Sequence, residues 1–196
     1  MSTQANFQSW AKERLDEMEA TLTFLDGKAG EVQAELRAKA DGLRTDLRAK
    51  QSEFRDIVKK HAEANEAAFV SAKARLEVDW KAFEADVAKY IDGFSKRVEQ
   101  QRAAFEVQAA AQLNAWREAA DKIASDGTQF AAERRAQIEE AVKRMKAEAA
   151  EAEGKLQKLS QAGAQSWSAL MVALAETRTS FDRANQAAQE AFKRAA

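Results

Sequence analysis

Proline is absent from all 196 residues of this chain, and glycine occurs only 7 times. Proline removes a backbone donor and breaks helices, and at ordinary usage a chain of this length would carry about ten. Cysteine is also absent, which excludes disulfides, thiolate metal sites and thiol catalysis. There is one histidine, His61, so neither a histidine acid–base pair nor the paired Glu-x-x-His motifs of a di-iron bundle can be assembled. No apolar run approaches the roughly 18 residues that span a bilayer. The opening residues lack the charged-then-apolar order of a signal peptide, so a cytoplasmic, non-membrane-spanning protein is expected. Charge of one sign is lacking too. Lys and Arg total 31, Asp and Glu 32, and the isoelectric point is near 6.0, so no strong field draws in nucleic acid or anionic lipid. Phosphate loops, nucleophile elbows and EF-hand loops are not present. These absences point away from an enzyme and imply no cofactor and no metal site.

What is present is helix-forming sequence. Ala, Glu, Lys, Arg, Gln and Leu dominate. Charged residues make up 32% and the mean hydropathy is -0.58, which leaves little apolar surface for a globular core. Apolar positions recur every eleven residues. Leu25, Leu36, Leu47, Val58, Phe69, Trp80 and Ile91 form one series. Val32, Leu43, Phe54, Asn65, Leu76, Val87 and Val98 form a second, and Phe83, Phe94, Phe105 and Trp116 a third. Members of different series lie three or four residues apart and share a helix face. Eleven residues over three turns is about 3.67 per turn, so such a seam drifts right-handed. The expected fold is all-α: an elongated antiparallel bundle or coiled coil of long amphipathic helices, forming a single domain over 1–196.

The register slips once. In the C-terminal third, Met145, Leu156 and Trp167 make one series and Leu159, Leu170, Phe181 and Phe192 another, both offset by one residue. One residue rotates the stripe by about 100°. The slip falls around Ser125-Asp126-Gly127-Thr128, where Asp-Gly signals a turn and Thr128 can cap a following helix. The principal break is therefore expected at 125–128. Asp41-Gly42, Asp92-Gly93 and Ala162-Gly163-Ala164 lie in register and are expected to be tolerated inside helices. A turn near 61–66 would give three similar helices that cover one another. His61 to Phe69 contains no turn chemistry, however, which favours a straight first segment whose stripe needs a second chain. Self-association is the expected consequence.

The charged residues order themselves along the helices. Glu35–Lys39, Asp46–Lys50, Asp56–Lys60, Glu77–Lys81, Asp92–Lys96, Glu118–Lys122, Glu139–Lys143, Glu140–Arg144 and Glu151–Lys155 are acid-first pairs at i,i+4, the favourable orientation. Residues 37–60 carry a mild basic excess, too dilute and too poor in reading motifs for nucleic acid. Glu139, Glu140, Glu148, Glu151 and Glu153 are interleaved with lysines and read as a solvated face. Trp10, Trp80, Trp116 and Trp167 lie on or beside the apolar stripe. They serve either as core or as anchors on a lipid-like surface, because an apolar face is indifferent to what covers it.

Two segments carry a family resemblance. LEVDWKAFEADVAKYIDGF (76–94) and AQSWSALMVALAETRTSFDRA (164–184) each set Trp ahead of spaced apolar residues in an Ala- and charge-rich helix. They resemble small bacterial coiled-coil proteins linked to stress responses, of the type first noted in cyanobacteria. AAFEVQAAAQLNAWREAADKI (103–123) is similar in texture to phasins, the helical proteins that coat polyester granules. The eleven-residue spacing also resembles exchangeable apolipoproteins and desiccation-protection proteins. The first resemblance implies a non-catalytic stress-related or scaffolding role, the others a coat on a lipid or polyester granule surface. In either case the interaction stripe is Leu25, Leu36, Leu47, Val58, Phe69, Trp80, Ile91, Phe94, Phe105, Trp116, Leu156, Trp167, Leu170 and Phe181.

Overall fold

A computed structural model describes residues 2–61, 66–94, 96–161 and 167–195, with side chains placed at 7–61, 68–94, 96–159, 169–192 and 194–195. The described residues are 94% helical. They form α1 (Ser2–Gly27), α2 (Arg37–His61), α3 (Glu66–Ile91), α4 (Arg97–Gly127), α5 (Ala132–Gln161) and α6 (Trp167–Ala195). Helices of 25 to 31 residues follow from the missing proline and the sustained good formers. No helix among them is long and apolar enough to cross a membrane.

Chain proximity divides the molecule into two units, Arg14–Gln108 and Met1–Glu13 with Ala109–Ala196. The first holds α2 and α3 with the later part of α1 and the start of α4; we call it the α2–α3 unit. The second, the α5–α6 unit, holds α5 and α6 with the start of α1 and the rest of α4.

Within each helix the buried residues recur every seven positions. Ala40, Leu47 and Phe54 line α2, and Phe69, Leu76, Phe83 and Tyr90 line α3. Ile138, Met145 and Ala152 alternate with Val142, Ala149 and Leu156 on α5, while Leu174, Phe181, Ala188 and Ala195 line α6. Spacings of seven and eleven both return to one helix face within a few turns, so short windows do not separate them. The eleven-residue series, by contrast, counts straight through the α1–α2 and α2–α3 connections. Leu25 belongs to α1, Leu47 to α2 and Phe69 to α3.

The breaks correct the expectation of a straight first segment. α1 ends at Gly27, and two short 3-10 turns, Ala29–Glu31 and Ala34–Leu36, lead into α2. Between them Val32 is extended and pairs antiparallel with Phe94, the Gln33 amide donating to the Gly93 carbonyl at 3.1 Å. Asp92-Gly93 is therefore a turn rather than a tolerated helix interior. A Cβ on Gly93 would stand 3.2 Å from the Tyr90 carbonyl oxygen and 3.6 Å from Val32, so the crossing is tight. The chain also reverses between α2 and α3, where Arg75 meets Glu53 at 2.9 Å. Residues 62–65, including Asn65, lie outside the described ones, as does Ala162-Gly163-Ala164. Gly42 alone of the in-register glycines discussed above sits inside a described helix, with open space around it.

α4 ends at Gly127 and α5 begins at Ala132. Thr128 closes the end of α4 instead of opening the next helix. Its amide and hydroxyl both donate to the Ser125 carbonyl, at 3.2 and 2.7 Å. Ile138 of α5 lies over Gly127 so closely that a Cβ there would meet its Cγ2 at 2.9 Å.

Candidate functional site

The described side chains of the expected interaction stripe are buried or half-buried. Leu25, Leu47, Phe69, Trp80, Ile91, Phe94 and Phe105 are buried in the α2–α3 unit, with Leu36 and Val58 half-buried. Trp116, Leu156, Leu170 and Phe181 are buried in the α5–α6 unit. Trp167 opens α6, and its side chain lies outside the described ones. The other three tryptophans retain little exposure: Trp10 4%, Trp80 4% and Trp116 1%. His61, at the end of α2, is half-buried.

Polar side chains share this interior, and sequence reasoning missed them. In the α5–α6 unit, Glu13 accepts hydrogen bonds from the Trp116 indole Nε1 at 2.9 Å and from Arg178 Nε at 3.0 Å. The Trp116 ring stacks on Phe181 with centroids 4.3 Å apart and planes 3° from parallel. Gln112 Nε2 donates to the Leu174 carbonyl at 3.4 Å, and the Thr177 hydroxyl donates to the same oxygen at 2.9 Å. In the α2–α3 unit, Arg14 pairs with Glu17 at 3.2 Å and lies 5.1 Å from the centroid of the Trp80 ring. Gln108 Nε2 donates to Thr21 Oγ1 at 3.1 Å, and Thr21 donates to the Glu17 carbonyl at 2.7 Å. A buried charge keeps its ionised form only with partners of this kind. The available signal was spacing: Glu13, Glu17 and Thr21 recur every four residues on α1, as do Gln108 and Gln112 on α4.

Charged side chains pair both along helices and between them. Of the acid-first pairs, Glu140–Arg144 and Glu151–Lys155 close within their helix. Lys50 reaches Asp86 of α3 instead, Glu118 takes Lys12 of α1, and Glu139 takes Arg135. A pair along one helix is worth only a few tenths of a kcal/mol, so a well-placed tertiary partner displaces it. Half of the lysines and arginines of α2 bond to other helices: Arg44 and Arg48 meet Asp26, Lys50 meets Asp86, and Arg55 meets Glu19. Burial pushes the Asp86 carboxyl up, but the Lys50 and Lys89 ammonium groups bonded to it outweigh burial and hold it below its ordinary range. Burial raises the Tyr90 phenol, and the carboxylates of Asp41 and Asp26 add to the rise against the opposing Arg44. The acidic residues of α5 disperse among partners, Glu153 pairing with Arg117 of α4 at 2.7 Å. Among the described residues no group of three or more His, Asp or Glu side chains stands together as a metal site would require.

An open groove of about 810 Å³ runs between α5 and α6, floored by Ala141, Ala184 and Ala191 and flanked by exposed Ala147 and Ala187. Glu140, Arg144 and Glu148 stand on its α5 side, Arg183 and Arg194 on its α6 side. Comparison of the chain with protein-family models, curated proteins and solved structures found no match.

Proposed function

We propose that this chain is a non-catalytic cytoplasmic helical protein with a stress-related or scaffolding role, acting through the outer faces of its helices and associating with further copies of itself. One observation carries the reading. Trp10, Trp80 and Trp116, the side chains best suited to anchor in a lipid interface, are buried within their own units. The outer faces are rich in alanine and paired charge, which suits contact with protein. An elongated form and supercoiled seams belong to the same proposal. Burial every seven residues favours a left-handed seam over the right-handed drift of an eleven-residue repeat. Solution scattering tests the elongation.

A second reading is a surfactant-like coat on a lipid or polyester granule. The buried Glu13, Arg178, Gln108 and Gln112 favour it, because polar groups regain water when helices separate and so lower the cost of exposing the apolar faces. The test separates the two. Protein is mixed with neutral liposomes carrying brominated lipid, and with polyester particles, then sedimented. Protein that stays in the supernatant with unquenched Trp emission supports the scaffold. Co-sedimentation with quenching rejects it in favour of the coat.

A further inference from the structure

The groove between α5 and α6 carries charges of both signs, arranged by helix. α5 and α6 run antiparallel: Arg134 near the start of α5 donates to the carbonyl of Ala195 near the end of α6, at 2.7 Å. In that register Glu148 and Arg183 stand at nearly the same level on opposite sides of the groove. Among the described residues neither forms an ion pair, whereas Arg144 is paired with Glu140 at 3.5 Å. The floor between them is alanine, so an incoming helix meets backbone-close contact rather than bulky side chains.

We infer that this groove is the self-association surface, and that its occupant is the α5–α6 hairpin of a second copy. A two-fold axis running along the helices lays α5 of one copy over α6 of the other at the same level. Glu148 then faces Arg183 of the second copy, and the symmetry makes that contact twice. The mixed rim argues for a copy of this chain over an anionic surface, which Glu140 and Glu148 would repel. The alanine floor offers nothing to insert into lipid. A specific interface covers about 800 Å² per partner. The groove from Ala136 to Glu148 spans only about 20 Å of helix, so most of the hairpin takes part. The inference rests on the self-association in the proposed function and supplies its site.

The test uses the full chain. Sedimentation equilibrium from 1 to several hundred µM should show a monomer–dimer equilibrium. Glu148→Arg and Arg183→Glu should each raise the dissociation constant at least tenfold, because each sets like charges against one another twice. An equimolar mixture of the two variants should form a heterodimer of about wild-type affinity, because both crossed pairs again have opposite sign. Ala187→Glu, at an exposed site on the groove's edge, should weaken the dimer and leave the thermal melt unchanged; it reads the same surface if either charge variant loses helix content. A wild-type monomer throughout the range overturns the inference. A dimer indifferent to all three substitutions overturns the site while leaving self-association standing. Binding to neutral or anionic vesicles that Arg183→Glu abolishes would make the groove a lipid site and overturn it as well.

Discussion

The α2–α3 unit and the α5–α6 unit are built from helices of similar length and the same stock of residues, yet they fill their interiors differently. In the α2–α3 unit the inner face is aromatic: Phe54, Phe83, Tyr90 and Phe105 are fully buried, and Trp80 stacks on Phe83 with centroids 5.7 Å apart. Ion pairs bridge its helices, from Asp26 to Arg44 and Arg48, and from Asp86 to Lys50. In the α5–α6 unit alanines occupy many inner positions, Ala149 and Ala152 on α5 and Ala188, Ala191 and Ala195 on α6. Its rings are the Trp116–Phe181 stack with the Glu13 cluster beside it, and the Phe7–Trp10 and Phe130–Phe192 pairs. The comparison separates two things that binary pattern merges. Seven-residue spacing decides which positions face inward. Side-chain volume decides how well the space between helices is filled, and an open groove runs along the alanine-rich pair.

The most severe test of this contrast removes the principal ring from each unit. Trp116→Ala should cost about 3–5 kcal/mol in urea unfolding, and Phe54→Ala a similar amount. The Trp116 loss includes a donor to buried Glu13, which is left with less compensation. Hydrogen exchange should localise the damage, with amides of α5 and α6 released by the first substitution and those of α2 and α3 by the second. Equal release in both hairpins from either one would erase the distinction. Next in size is Gly127→Ala. With Ile138 Cγ2 only 2.9 Å from the new Cβ, overpacking should cost about 1–3 kcal/mol, and Ile138→Val should return part of it in a thermal melt.

Charge gives a smaller difference between the units. Asp86 is held below the ordinary carboxylate range in the folded chain, so its contribution is complete above the unfolded value near 3.8 and is lost as pH falls through the folded value. Asp86→Asn should cost up to about 1 kcal/mol at neutral pH. Below pH 4 it should flatten the loss of stability of the α2–α3 hairpin, read by circular dichroism across an acid titration. An acid limb as steep as wild type would show that Asp86 is not responsible. The smallest effect should be the same in both units. Gly42→Ala in α2 and Gly154→Ala in α5 have open space at the new methyl and should each stabilise by about 0.4–1 kcal/mol. Unequal gains would mean that the two helices differ in backbone constraint as well as in packing.

Much of this was legible in the residues and some was not. The all-helical class followed from the missing proline and the helix formers, and the inward residues from their spacing, because both are local properties of a helix with 3.6 residues per turn. Leu25, Leu47, Phe69, Trp80, Phe105, Trp116 and Phe181 are buried where the pattern placed them on an apolar face. Gly27 and Gly30 marked the end of α1 and were overlooked because the eleven-residue count runs through them. The inward polar set was hidden for another reason. Glu13 and Arg178 lie at opposite ends of the chain, and each by itself resembles an ordinary surface residue until the fold brings them to 3.0 Å.

The sequence by itself determined that the chain is helical, and it put on apolar faces many residues that are buried, although Val98 of the same pattern is 59% exposed. The tertiary structure decided that Asp92-Gly93 turns while Asp41-Gly42 does not, although both present the same dipeptide. At Gly93 the Val32–Phe94 pairing and the bond from the Gln33 amide stabilise leaving the helix, whereas Gly42 stays inside the continuous helix Arg37–His61. An interruption needs partners, and these partners are far away in the chain. No local window contains both, so only the folded molecule could choose between them.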